Sequence, residues 1–257
     1  MIASRSFVRL TFAMLAALPM TAQSAASQDT RPTVAVLYFD NNSIGRDAAD
    51  YAGMGKGVAD LLITDLSAAA NVRVVERERI EALLQEQNLA KQGQIDPATA
   101  VRLGRILGAR HMISGGFMST GDRMVLTARA FDVETGQIVN TQKVSQAGDD
   151  VLALIGELST RLTTSLQLPP MERRTGDAGH DAGHESGHAA QHPAPHAAHH
   201  APAKLDLRTA LLYSKALEAQ DAGDRAKAVE LYNQVLDRFP NLESARANRD
   251  KLQASND

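Results

Sequence analysis

The feature that most constrains this chain is an almost continuously apolar run at residues 33–39, followed by a helical pattern and a second apolar run. The first run is aliphatic, β-branched and aromatic, which is typical of a strand buried on both faces beneath helices. The helical pattern places apolar side chains on one stripe: Met54, Val58, Leu61, Leu62 and Leu66. The second run, residues 72–75, predicts a short strand. We therefore expect a strand-helix-strand unit against which the later segments pack.

The segments that follow predict further helices and an antiparallel meander. Helices are expected at residues 78–87 and 96–108, because Asp96-Pro97 is a good helix start and Gly108 a good helix end. Tight turns separate three strands, predicted at residues 111–118, 123–133 and 137–144. A last helix begins at residue 149 and stops at Pro169-Pro170, since proline cannot continue a helix. The predicted fold class is α/β, with a mixed sheet and packed helices.

The first 26 residues predict a secretory signal peptide. Arg5 and Arg9 precede an apolar stretch that is too short to span a bilayer, and small residues end at Ala26. The alternative is an N-terminal membrane anchor. The sequence contains no cysteine, which excludes disulfides and a lipid anchor on an N-terminal cysteine. We therefore expect a periplasmic protein that is not a lipoprotein, with no transmembrane segment after signal cleavage and at most peripheral attachment to the outer membrane.

The C-terminal third divides into a biased segment and a helical segment. Residues 169–204 are rich in His, Ala, Gly and Pro and offer little apolar surface to bury, which predicts a disordered linker. Residues 205–257 resemble a tetratricopeptide repeat at a set of small, aromatic and turn positions: Ala216, Ala219, Gly223, Asp224, Ala228, Tyr232, Val235 and Pro240. Solenoids need about three repeats to be stable. This module is therefore expected to be marginal, to self-associate or to dock on something, and its concave groove is expected to bind protein.

Several ordered stretches resemble the curli production assembly/transport (CsgG-like) family. They are Val-Ala-Val-Leu-Tyr-Phe-Asp-Asn at 34–41, the Gly-rich helix start and Ala-Asp-Leu-Leu-Ile-Thr-Asp-Leu at 55–66, and Arg-Val-Val-Glu-Arg-Glu-Arg at 73–79. Further matches lie at 96–100, 103–109 and 131–136. The resemblance covers about residues 33–168 and places the CsgG-like domain at 31–168. It implies an extracytoplasmic domain that works in envelope assembly or secretion without catalysis.

The glycine-rich stretch at residues 53–57 stands between strand and helix, where phosphate-binding loops occur. A P-loop would need glycine at Asp50 and a hydroxyl residue at Gly57, and the dinucleotide pattern would need glycine at Val58. We therefore interpret these glycines as sites of close helix packing. The alternating charges at residues 76–79 favour a solvated first turn with weak local ion pairs over a subunit contact. His111 is isolated and is interpreted as structural.

Histidines recur through the predicted linker and form the candidate metal site. They are His180, His184, His188, His192, His196, His199 and His200. Neutral imidazoles suit zinc, nickel or copper, but the interspersed glycines and prolines oppose a helix. The pattern therefore favours weak, multi-site metal binding at most, and a low-complexity spacer is the simpler interpretation.

These observations predict a non-enzymatic periplasmic protein that acts in envelope assembly or export of surface material. The expected partners are other envelope proteins or further copies of the chain. No basic patch predicts nucleic-acid binding, and no cofactor site is expected. The alternatives are a periplasmic metal-binding protein that uses the linker histidines and, least favoured, a nucleotide-dependent enzyme.

Overall fold

The apolar run at the start of the domain forms an interior strand of a five-stranded mixed sheet. The computed structural model describes residues 31–44, 46–68, 72–89, 95–120, 123–148, 150–168 and 204–254. The strands are β1 (Thr33–Asn41), β2 (Arg73–Val74), β3 (His111–Ser119), β4 (Arg123–Asp132) and β5 (Ile138–Ala147). They lie in the order β2-β1-β3-β4-β5. β1 pairs parallel with β2 and β3, whereas β3-β4 and β4-β5 are antiparallel, so the predicted mixed sheet is confirmed.

Seven α-helices and one short 3-10 helix, Arg46–Tyr51, accompany the sheet in the described ranges. The α-helices are α1 (Met54–Ser67), α2 (Arg77–Glu86), α3 (Pro97–Leu107), α4 (Val151–Ser165), α5 (Leu207–Asp221), α6 (Arg225–Arg238) and α7 (Glu243–Ala254). The predicted start of α3 is confirmed, because the Asp96 carboxylate accepts a hydrogen bond from the Thr99 backbone N–H at 3.0 Å. The predicted end is confirmed as well, since Gly108 adopts φ 66° as the C-cap.

The meander strands follow the predicted alternation, with one difference in length. Met124, Leu126, Ala128 and Ala130 of β4 are buried on one face of the sheet. β5 runs to Ala147 rather than residue 144, and its last residues pair with the start of β4. Those residues, Ser145, Gln146 and Ala147, carry no apolar alternation. The backbone ladder alone extends the strand there, so the side-chain pattern could not show it.

The three C-terminal helices pack on the α/β part of the chain. α5 lies against α1, and the Val151 backbone N–H at the start of α4 donates to the Leu205 carbonyl at 3.0 Å. The described residues from Arg31 onward form one compact unit. Of the three outcomes predicted for the C-terminal segment, the structure therefore shows docking, on the chain's own α1. The tetratricopeptide assignment itself stays a prediction, as do the boundaries around residues 169–203, which lie outside the described ranges.

None of the helices that the structure describes combines the length and the apolar composition that crossing a bilayer requires.

Candidate functional site

The glycines at the start of α1 bring three elements together. A Cβ atom on Gly55 would lie 1.8 Å from the Phe39 carbonyl oxygen of β1, and one on Gly57 would lie 2.1 Å from the Ser214 hydroxyl oxygen of α5. Neither distance is compatible with a side chain, so α1 approaches β1 on one side and α5 on the other only because these positions are glycine. The interpretation of this stretch as close helix packing is confirmed.

Five charged side chains meet where α1, α2 and α5 converge, and we call them the charge cluster. They are Lys56, Asp60, Arg77, Glu81 and Asp221. Arg77 Nη1 donates to both carboxylate oxygens of Asp221, at 2.8 and 2.7 Å. Lys56 Nζ lies 2.6 Å from Asp221 and 3.2 Å from Glu81, and Arg77 Nε lies 3.2 Å from Asp60. Asp221 of the C-terminal helices therefore joins the two cations that the α/β part supplies.

Tyrosine hydroxyls complete the polar contacts around the charge cluster. Tyr213 of α5 donates to Asp60, and Tyr38 of β1 donates to Glu81. Lys56 Nζ also stands 5.1 Å from the centre of the Tyr38 ring, a distance that allows a cation–π contact. Asn248 of α7 donates to the Tyr213 hydroxyl at 3.2 Å. The cluster is thus connected to β1 and α7 as well as to the three helices that supply its charges.

Burial sets the electrostatics of the charge cluster. The Arg77 side chain is 1% exposed and that of Asp221 8%. Burial alone would lower the pKa of Arg77, but pairing with Asp221 outweighs it and raises that pKa, so the guanidinium stays charged. Burial likewise opposes ionisation of Glu81, but hydrogen bonds from Tyr38, Gln85 and Lys56 lower its pKa. Asp60 differs, because burial dominates there and raises its pKa.

The charge cluster is suited to holding two parts of the chain together. Its carboxylates and cations contact one another and are largely withdrawn from solvent. No three His, Cys, Asp or Glu side chains of the described ranges are placed to hold a metal ion. The arrangement therefore specifies where α5 docks on α1 and α2, since any other register would bury these charges without partners.

Comparison with known proteins finds one family model that matches the first part of the chain. Residues 15–121 match the family model described as curli production assembly/transport component CsgG. The chain therefore contains a CsgG-like domain match over residues 15–121, which is less than half of its length. No curated protein matches the chain. The family match ends at residue 121, between β3 and β4; β4 and β5 complete the same sheet in the structure, and α4 packs against it.

Solved structures similar to this chain each cover about half of it. The LpoB C-terminal domain from Escherichia coli is 18% identical, with a TM-score of 0.36, over 45% of this chain and 82% of that one. The PelC dodecamer from Paraburkholderia phytofirmans is 19% identical, with a TM-score of 0.34, over 54% of this chain and 89% of the PelC chain. Lipoprotein GNA1162 from Neisseria meningitidis is 15% identical, with a TM-score of 0.38, over 53% of this chain and 98% of the GNA1162 chain.

The structure corrects one interpretation of the CsgG domain's sequence. Residues 76–79 were expected to form a solvated first turn, yet Arg77 is among the largest fully buried side chains of the described chain. Its partners lie on α1 and α5, so its ion pairs are neither local nor made with another subunit. The predicted protein-binding groove of the C-terminal helices stays a prediction, but Tyr213, Ser214 and Asp221 of α5 are covered within the chain by contacts with the CsgG domain.

The predicted metal ligands, His180 to His200, lie outside the described residues. His111 is buried at the start of β3, where its Nδ1 atom has no hydrogen-bond partner and burial lowers its pKa, and this agrees with a structural role. Sequence reasoning missed Lys56, Asp60, Tyr213 and Asp221. The available signal was that α1 carries Ala59 and Ile63 outside its apolar stripe, and a helix that is apolar around most of its circumference packs on two sides.

We expect Gly57→Ala to destabilise the docked structure by about 1–3 kcal/mol, because the new methyl group would overlap the Ser214 hydroxyl. The matched control is Gly156→Ala in α4, where a Cβ atom would meet nothing within 4 Å. That change should stabilise the protein by about 0.5–1 kcal/mol, since alanine favours a helix interior. Urea unfolding measures both. Adding Ser214→Ala to Gly57→Ala should recover most of the loss; no recovery would show that the overlap is not the cause.

We expect Asp60→Asn to change how stability depends on pH. Burial raises the pKa of Asp60 in the folded protein above its unfolded value of 3.8. The protonated side chain therefore contributes folding stability that is fully present below pH 3.8 and is lost as the pH rises through the folded-state pKa. The variant lacks this loss, so its unfolding free energy should improve relative to wild type as the pH rises from about 4 to 8. Glu81 has the opposite pH dependence, because its pKa is lowered in the folded protein. Its contribution to folding stability is present above about pH 4.5 and is lost as the pH falls below that value. Parallel curves for wild type and Asp60→Asn would contradict this, and Asp65→Asn on the same helix is the control.

Proposed function

We propose that this chain is a non-enzymatic protein of the periplasm that acts in cell-envelope assembly or export of surface material through protein-protein contacts. The observation that carries the proposal is the CsgG family match at residues 15–121. The charges of the charge cluster are paired with one another and largely withdrawn from solvent, which suits a scaffold. The proposed organisation is a signal peptide at 1–26, a CsgG domain at 31–168, a linker at 169–204 and a helical module at 205–257.

The exposed edge of the sheet supports contact with other proteins. β5 is an outer strand of the sheet, and its first two residues are apolar and exposed: Ile138 at 52% and Val139 at 47%. An unpaired strand edge offers backbone hydrogen bonds, and exposed aliphatic side chains add affinity for a partner. We propose that envelope proteins, or further copies of this chain, bind along this edge.

The location follows from the sequence features. A signal peptide that ends at Ala26 would release the chain into the periplasm, and a chain without cysteine offers no thiol for an N-terminal lipid. We propose that any attachment to the outer membrane is peripheral and made through protein partners.

Fractionation followed by crosslinking in intact cells tests this function. We expect the protein in the periplasmic fraction with its N-terminus at Ser27, crosslinked to a defined set of envelope proteins. The matched variant is Val139→Lys, which should lose the captured set while its melting temperature stays unchanged, because this side chain is exposed. Cytoplasmic protein that retains Met1, or identical capture by wild type and a chain that lacks residues 31–168, would reject the proposal.

Weak metal binding by the linker is proposed only for the seven histidines from His180 to His200, because imidazoles are the metal-binding groups in that segment. Replacing all seven with serine should abolish zinc or nickel binding in calorimetric titration and leave the melting temperature unchanged. Metal binding that survives the replacement would place the site elsewhere.

A further inference from the structure

The face of α1 and α2 that α5 covers has the composition of a helix-binding surface. Gly57 allows a helix to approach at backbone distance, and Lys56 and Arg77 both direct their charges to Asp221 of the covering helix. α5 supplies the matching groups from one side, with Tyr213 and Ser214 two turns before Asp221. The recognition pattern is therefore a hydroxyl-bearing aromatic residue, a small residue and a carboxylate on one helix.

The covering helices also contact one another directly, through side chains that do not involve the CsgG domain. The Tyr213 and Tyr232 rings of α5 and α6 pack with centroids 6.0 Å apart, and the Tyr232 hydroxyl donates to Gln220 at 2.7 Å. Ala216, Ala228 and Val235 are fully buried. The contact with the CsgG domain combines the ion pairs and hydrogen bonds of the charge cluster with apolar packing, since Ala210, Tyr213 and Leu217 of α5 belong to the same buried core as that domain.

The connecting chain is much longer than the distance it has to bridge. Leu205 is hydrogen-bonded to the first residue of α4, and Leu168 lies just beyond the last turn of that helix. A helix of 15 residues is about 22 Å long. Residues 169–203 number about 35 and could extend over roughly 115 Å. The helices can therefore leave the CsgG domain and remain attached, at an effective concentration on the order of 1 mM.

We propose that α5–α7 is a displaceable cover over a helix-binding face of the CsgG domain. The face takes a partner helix that carries the same pattern as α5, and the cover competes with that partner within the chain. This inference rests on the proposed protein-binding function and names the partner class for one surface. The CsgG domain stays folded while the cover is open.

Opening of the cover can be measured with a single cysteine, because the natural chain has none. Ser214→Cys places a thiol under the cover, and Val36→Cys places one in the sheet core; both native side chains are at most 1% exposed. In the full chain, without denaturant, we expect a thiol reagent to label the Ser214→Cys variant at least tenfold faster than the Val36→Cys variant, after correction for each variant's global stability. Equal rates would mean that the cover leaves only on global unfolding and would overturn the proposal.

Occupancy of the face by another helix is tested with a defined probe, a fluorescent peptide of residues 206–222. We expect it to bind the full chain with a midpoint on the order of 1 mM, because the free peptide then reaches the effective concentration of the tethered cover with which it competes. A peptide with Asp221→Lys should bind at least tenfold more weakly. Absence of binding at ten times that midpoint, or equal binding of both peptides, would overturn the proposal.

A disulfide can lock the cover as a reversible control. A Cβ atom on Gly57 would lie 3.3 Å from that of Ser214, close to the separation found in disulfides. The oxidised Gly57→Cys/Ser214→Cys chain should not bind the peptide, and reduction should restore binding. Peptide binding that persists in the oxidised chain would place its site elsewhere. These measurements use purified protein, so failure of capture in cells would reject the proposed function and leave this result standing.

Discussion

Arg77→Met is expected to lower the free energy of unfolding by about 3 kcal/mol. Removing one partner of a buried ion pair costs about 3–5 kcal/mol, because the remaining charges stay buried without compensation. Here Asp60 and Asp221 would lose the guanidinium that contacts both. We expect the lower end of that range, since partial release of α5 lets both carboxylates reach water. Urea unfolding followed by circular dichroism measures the change.

The matched control for this prediction is Arg79→Met. Arg79 lies two residues further along α2 and is exposed, so its replacement should change stability by no more than about 0.5 kcal/mol. Adding Asp221→Asn to Arg77→Met should cost little beyond Arg77→Met alone, because the two residues share one interaction. Equal losses from the two arginine replacements would show that burial of Arg77 does not matter.

Deleting residues 205–257 is expected to lower stability by at least about 3 kcal/mol and to leave a single cooperative transition. Burying one or two large side chains contributes that much, and the deletion removes Leu205 and Tyr213, both fully buried. The transition should stay cooperative because the sheet, α1 and α4 form their core within residues 31–168. Differential scanning calorimetry measures both quantities.

Two comparisons make the deletion result specific. Removing residues 176–195 from the connecting segment leaves more chain than the span requires and should leave the melting temperature unchanged. In the truncated chain, Arg77→Met should cost less than about 1 kcal/mol, because Asp221 is then absent and water reaches the site. An unchanged melting temperature after the deletion of 205–257 would mean that α5–α7 does not stabilise the CsgG domain.

Local pattern determined most of the fold. The apolar run before Asp40 predicted a strand buried on both faces, and β1 is that strand. The Asp96-Pro97 start and the Gly108 end predicted α3 because caps depend on residues close in the chain. The family resemblance was confirmed over residues 15–121 by the CsgG match, whereas its last stretch, at 131–136, lies beyond the matched residues.

Tertiary structure alone decided how the two parts of the chain meet. Arg77 belongs to a run of alternating charges that is typical of an exposed helix start, and Asp221 lies 144 positions further along. The hydrophobic pattern of a helix indicates which of its faces is apolar. A buried ion pair depends instead on which distant carboxylate the tertiary structure places beside the cation. Gly57 shows the same limit, because the sequence indicated close packing and only the structure showed that Ser214 is the neighbour. Local residue order therefore determined the elements, whereas pairing of distant charges and backbone contact at glycine determined the docking of α5–α7.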